Sequence, residues 1–192
     1  MSRQQINRRI YNDGEYGTEF RDDPGATIRT LAAEPTALLI SVNGACENKG
    51  LPNARAAGGI FWAGTSNLNM SMALPASLPQ TVRAAKLFAL ERALDMIIEN
   101  LLKPWFELPK DMSRIVIIVD SLYVKSGVCA WVWEFERDGY KEADGKPVVN
   151  GELFKKIHQH FEHLQSRGYE VNIWDVPKEQ NTDAEKLARA GL

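Results

Sequence analysis

The sequence predicts an α/β fold built on a mixed five-stranded sheet flanked by helices, with elements in the order βββαβαβα. Three observations predict it. Three short β-patterned runs follow one another between residues 37 and 74, a long stretch of helical periodicity comes next, and single strands then alternate with helices. Strands in succession followed by alternation imply an antiparallel meander joined to a parallel portion through crossover helices, a topology that places sites at strand ends.

The first, Ala37 to Val42 (ALLISV), is a short β run that ends at Asn43-Gly44; the second, Gly58 to Gly64, has Gly at both ends. In Leu68 to Leu74 the large apolar residues fall on every second position, as in a half-buried antiparallel strand. After Pro75 and Pro79, Leu87, Leu90, Leu94, Ile97 and Leu101 repeat at helical spacing, and Pro104 stops that helix. Ile115 to Val119 is a continuous β-branched run of the fully buried kind, closed by Asp120-Ser121 and followed by an apolar helical stretch through Trp131. Leu153 to Leu164 has the pattern of an amphipathic helix, Tyr169 to Trp174 of a last strand, and Asp183 to Ala190 of a last helix. Residues 1–36 carry scattered charge and an Asp-Asp-Pro-Gly turn at Asp22 to Gly25 without sustained periodicity. They read as an extension, packed on or trailing from a domain of residues 37–192.

With 192 residues, one well-filled core is affordable and two full domains are not expected. The 23 Lys+Arg against 25 Asp+Glu leave a formal charge of −2, so the broad basic surface of a protein that binds nucleic acid mainly by neutralising phosphates is absent. Cys46 and Cys129 are far apart and show no metal-ligand spacing, which fits reduced thiols. The first residues lack the apolar core of a secretory signal, and no apolar run is long enough to span a bilayer. The expectation is an intracellular protein, cytoplasmic or nuclear.

Five ordered blocks then resemble the ribonuclease H family, in particular the type 1 ribonuclease H-like proteins common in fungi and plants. Ser41 to Cys46 (SVNGAC) is similar to the family's Y-T-D-G-A-C strand, and Gln80 to Ala89 (QTVRAAKLFA) to Q-T-x-x-R-A-E-L-x-A. Ile117 to Val124 resembles the T-D-S-x-Y-V strand end, and Trp131 to Asn150 the W-x-x-x-W-x-x-x-G-W-x-x-x-x-G-K-x-V-x-N segment. Val176 to Ala188 (VPKEQNTDAEKLA) resembles V-P-R-E-Q-N-x-E-A-D-x-L-A. The resemblance covers Leu38 to Leu192 and implies a ribonuclease H-like fold.

It also implies a chemistry. The family brings together four carboxylates that hold divalent cations, one activating water and another stabilising the leaving oxygen in phosphodiester hydrolysis. Residue by residue, those positions are Asn43, Lys86, Asp120 and Glu185. Only Asp120 keeps the family's residue. The set carries −1 in place of four negatives, too little to neutralise two divalent ions. An ammonium at Lys86 repels a cation and is able to pair with Asp120 or Glu185 in its place. A one-position slip puts Ala85 there, which is no acid either. Asn43 also reads as a turn residue before Gly44, and Asp120 as the N-cap of the following helix. No metal is expected; Asp120 and Glu185 are the residual ligand candidates, with Mg²⁺ or Mn²⁺ as the ion if the chain is active.

The segment that in the family forms a basic handle has a different charge here. Trp131 to Lys146 carries three basic residues and five acidic ones, a net of −2, which disfavours a duplex. Trp133, Phe135 and Tyr140 read either as core or as a surface for a protein partner, including a second copy of the chain. Asn48, Asn53 and Arg55, in a Gly- and Asn-rich stretch, match a family loop that contacts the RNA strand, or simply make turns. His158, His160 and His163 share one helix without a metalloprotease pattern and read as a solvated face.

The leading expectation is a catalytically inactive member of this fold that acts by binding, either nucleic acid weakly (an RNA/DNA hybrid or RNA) or a protein. The alternative is a divergent hydrolase of the RNA strand of RNA/DNA hybrids that uses Asp120 and Glu185, with Glu47 or Asp175 as supplementary carboxylates.

Overall fold

The computed structural model describes residues 8–21, 25–101 and 111–192. Helix α1 (Asp13–Tyr16) and strands β1 (Phe20–Arg21) and β2 (Arg29–Leu31) precede the three-strand meander β3 (Ala37–Glu47), β4 (Arg55–Phe61) and β5 (Met70–Ala73). Then come α2 (Val82–Leu101), β6 (Arg114–Val119), α3 (Leu122–Ser126), a π-helical turn (Gly127–Trp131) and α4 (Val132–Arg137). Helix α5 (Gly151–Ser166), β7 (Glu170–Asp175), a 3₁₀ turn (Lys178–Gln180) and α6 (Thr182–Ala190) complete the chain. Pro104 and Asp22 to Pro24, which the sequence reads as a helix stop and part of a turn, lie outside the described residues.

The expected five strands are all present and pair as expected. β3, β4 and β5 are antiparallel, and β6 runs parallel to β3 and to β7. The sheet nevertheless has seven strands. The first two come from the segment taken as an irregular extension. β2 pairs antiparallel with β3 at Leu38 and Leu39, just beyond the point where β4 ends opposite Ser41. Farther upstream, Tyr11 N–H donates to Ile173 O at 2.9 Å and Ile173 N–H to Arg9 O at 2.7 Å, so residues 9–11 cover the free edge of β7. An open strand edge invites pairing with another chain, and here the protein's own N-terminal segment occupies it.

Period-two alternation sorts the sheet residues onto two faces. Leu38, Ile40, Val42, Ile115, Ile117 and Ile173 face the helices α2 and α5 in the larger core, whereas Leu39, Val116, Ile118 and Trp174 face the other way. Tyr11 and Leu31 from the N-terminal segment pack on this second face. The rest of that face lies beneath α6, which approaches so closely that a Cβ on Gly59 would sit 2.3 Å from Ala184 O. On the opposite face a Cβ on Gly44 would sit 2.5 Å from the Lys86 backbone nitrogen. These two glycines bring α6 and α2 down onto β3 and β4 from either side, and with them Glu185 and Lys86.

Two sequence expectations are corrected. β3 continues through Asn43-Gly44 to Glu47, with Asn43 paired to Gly59 and Gly44 to Gly58, so Asn43 is a mid-strand residue and not a turn. The ladder to β4 supplies what the local Asn-Gly signal could not. Asp120 is not a cap either: Ser121 accepts from Val124 N–H at the start of α3, leaving the Asp120 side chain to the site.

Candidate active site

Asn43, Lys86, Asp120 and Glu185 converge on one pocket of about 180 Å³ lined by the C-terminal half of β3 and the residue just after β6. Their mutual contacts are direct. Lys86 Nζ lies 2.5 Å from Asp120 Oδ1 and donates also to the Asp120 carbonyl at 3.3 Å. Asn43 Nδ2 donates to Asp120 Oδ2 at 3.3 Å, while Asn43 Oδ1 accepts from Gly44 N–H at 2.8 Å. Both oxygens of Asp120 are therefore engaged by donors from this set. The Lys86 and Asp120 side chains are 11% and 4% exposed, so this ion pair is buried.

Glu185 is held separately. Arg189, one helical turn on, donates from Nε and Nη2 to Glu185 Oε1 at 2.9 and 2.7 Å. The i, i+4 spacing of Glu185 and Arg189 is visible in the sequence but carries no family signal, which is why Arg189 escaped notice. Buried Asn181 joins the turn before α6 to the sheet: its Nδ2 donates to Val42 O at 3.0 Å and its carbonyl accepts from Asn43 Nδ2 at 3.5 Å. Lys49 and Lys178 complete the charged lining. Of the supplementary carboxylates, Glu47 pairs with Arg55 at 2.7 Å and Asp175 with Lys125 at 3.6 Å, and neither lines the pocket.

The loop beyond β3 is tied mostly to itself. Asn48 takes a left-handed turn conformation (φ 50°) and its Nδ2 approaches Asn53 O at 3.5 Å, while Arg55 also contacts the carbonyl of Leu192. Asn53 is exposed.

For the aromatic segment, the packing selects the core reading. Trp133, Phe135 and Tyr140 are partly buried and pack against the main core, Phe135 with ring centroids 5.5 Å from Phe154 and 6.4 Å from Tyr140. Trp131, 39% exposed, is the aromatic that reaches solvent. Trp133 packs against His158 and Arg9, and Phe135 against Phe154 and Tyr140, so these rings are not a free partner surface.

His158 is likewise no surface residue. It is 1% exposed, and Arg9, reaching in from the N-terminal segment, donates to its Nδ1 at 2.9 Å and to Val128 O at 2.9 Å. The Arg9 guanidinium stacks over Trp133 and Phe161, and burial lowers its pKa to about 10. Glu136 and Glu162 lie 3.4 Å from His158 Nε2, close enough to suggest a ligand set. The tautomer argues against one. An imidazole that accepts at Nδ1 carries its proton on Nε2, so that nitrogen offers a donor to the carboxylates and not a lone pair to an ion.

Burial first, and the Arg9 charge second, push the His158 pKa below 6.5, against the pull of Glu136 and Glu162. Below pH 6.5 the unfolded chain takes up a proton that the native imidazole resists, so the stability this neutral histidine contributes is present above that pH and is lost as pH falls toward its depressed native value. Unfolding free energies from urea titrations are expected to fall by up to about 1.4 kcal/mol per pH unit as pH drops below 6.5, with a smaller slope in His158→Gln. An unchanged slope in that variant would assign the effect elsewhere.

The comparisons bear on what this arrangement is. The family model for RNase H matches residues 35–192. The chain belongs to the RNase H family. It is 25% identical over 186 residues to ribonuclease H1 of Rattus norvegicus, covering 88% of this chain and 59% of that relative. The chain thus spans less than two thirds of that relative's length. Among solved structures, the foamy viral protease–reverse transcriptase in complex with an RNA/DNA hybrid superposes with a TM-score of 0.59 at 22% identity, over 80% of this chain and 19% of that one. LC11-RNase H1, also solved with an RNA/DNA hybrid, gives 0.50 at 20% identity, over 79% and 94%. These likenesses are of fold. No helix among the described residues is long and apolar enough to cross a membrane.

Proposed function

We propose that this RNase H-fold chain binds nucleic acid of the RNA/DNA hybrid or RNA class without metal-dependent hydrolysis, its metal position taken by the Lys86 ammonium. The observation that carries the reading is the buried Lys86–Asp120 pair at 2.5 Å. Mg²⁺ needs oxygen ligands and net negative charge. Here both Asp120 oxygens accept from Lys86 and Asn43, and Glu185 is engaged by Arg189. The residues present do not fit a divalent pair, so no hydrolytic step is drawn through one. Binding remains as the activity, and the hybrids held by the structural neighbours suggest its ligand class. The inward packing of Trp133, Phe135 and Tyr140 removes the support for a protein partner at that segment.

The test measures cleavage of an RNA/DNA hybrid in Mg²⁺ and in Mn²⁺ beside Asp120→Ala, and hybrid binding in EDTA. No cleavage above the variant, with binding retained in EDTA, is expected. Cleavage that disappears in Asp120→Ala would overturn the reading and make this a working hydrolase.

A further inference from the structure

The pocket's charge has a pattern that loss of metal binding alone does not account for. Four cations line it, Lys49, Lys86, Lys178 and Arg189, against two carboxylates, Asp120 and Glu185. Lys86 and Arg189 are each committed to one of those carboxylates. Lys49 and Lys178 have no carboxylate within 4.0 Å among the described residues. The pocket therefore presents two uncompensated ammonium groups in a chain whose formal charge is −2. They come from different elements, Lys49 from the loop after β3 and Lys178 from the 3₁₀ turn before α6. The buried Lys86–Asp120 pair and Asn43 line the same pocket.

We infer that this pocket takes the terminal phosphate monoester of a nucleic-acid strand, held by Lys49 and Lys178 without a metal ion; the inference rests on the nucleic-acid reading above. Size and charge both select this ligand. At about 180 Å³ the cavity is below the roughly 300–1,000 Å³ of sites that enclose a whole small molecule, so it admits a phosphoryl group and leaves base and sugar outside. A monoester carries about −1.5 to −2 at neutral pH, which matches two free ammonium groups, whereas an internal diester carries a single charge. Lysine binds phosphate as a compact point charge and needs no bidentate geometry, so two lysines on separate elements suffice. Arg189 is a reserve contact, able to exchange a Glu185 oxygen for a phosphate oxygen.

The experiment uses the full chain in EDTA and follows fluorescence anisotropy of one RNA/DNA hybrid prepared with phosphorylated or hydroxyl strand ends, with inorganic phosphate as competitor. The phosphorylated hybrid is expected to bind about tenfold more tightly, the worth of one strong charge-assisted contact. That preference should vanish in Lys49→Gln/Lys178→Gln, whose exposed side chains leave the fold intact, and inorganic phosphate should compete only at far higher concentration. Equal binding of both hybrids by the unmodified protein overturns the inference and leaves nucleic-acid binding standing. If inorganic phosphate competes as well as the strand end does, the site is one for free phosphate and the strand-end assignment fails. Absence of binding to either hybrid overturns the functional reading itself.

Discussion

Lys86→Met is expected to lower the free energy of unfolding by about 3–5 kcal/mol, the range for stripping one partner from a buried ion pair. The size follows from what is left behind. The Asp120 carboxyl, 4% exposed, would be left with only the Asn43 amide at 3.3 Å to offset its lost hydration. Methionine is close to the lysine stem in length and keeps apolar volume at this position, so the loss reports charge. The double variant Lys86→Met/Asp120→Asn removes both charges and should recover most of the stability, because an uncharged amide in this site carries a far smaller burial cost. Urea unfolding of the four species closes the cycle. A single-variant loss below about 1 kcal/mol would mean that the pair behaves like an exposed one and that Lys86 is not an internal counter-ion.

Asn43→Asp/Lys86→Glu should convert a site indifferent to divalent ions into one that Mg²⁺ stabilises. The double change brings acids to all four family positions. Without metal they repel one another in a partly buried space, and the variant should unfold several kcal/mol more easily than the unmodified chain in EDTA. Mg²⁺ at 100 times its dissociation constant would restore about 2.7 kcal/mol by mass action, visible as a concentration-dependent rise in Tm. The unmodified protein should show no such rise. Arg189 still competes for Glu185 in the double variant, so adding Arg189→Ala should shift the Mg²⁺ titration to lower concentration. A Mg²⁺-dependent rise in Tm of the unmodified chain, equal to that of the variant, would show that the Lys86–Asp120 pair yields to the ion and would sink the tethered-cation reading.

Much of this was legible before any coordinates. The alternation in Leu68 to Leu74, the β-branched run at Ile115 to Val119 and the helical spacing of Leu87 to Ile97 each encode a local period, and a period is a property of adjacent residues. The candidate site was legible for a related reason: Lys86 and Glu185 sit inside ordered blocks whose spacing resembles the family's. That Glu185 stands four residues before Arg189 was equally plain, although its use was not.

What the sequence by itself determined is therefore the order βββαβαβα, the family of the chain and the identity and summed charge of four residues that meet in one pocket. Tertiary structure alone decided how those charges are spent. Residues 9–11 gave no strand signal because their partner, Ile173, lies far along the chain, and the two- and three-residue strands β1 and β2 are too short to show a period and are specified by the edge they meet. His158 looked solvated on its own helix because the group that covers it, Arg9, is 149 residues away. The charge at Asn43, Lys86, Asp120 and Glu185 sums to the same value in any arrangement. Only the approach of α2 over Gly44 places the Lys86 ammonium on Asp120, and only the junction of two separate turns leaves Lys49 and Lys178 unpaired at one mouth. Composition counts charges, but Coulomb energy depends on separation and burial, which are settled when distant segments pack.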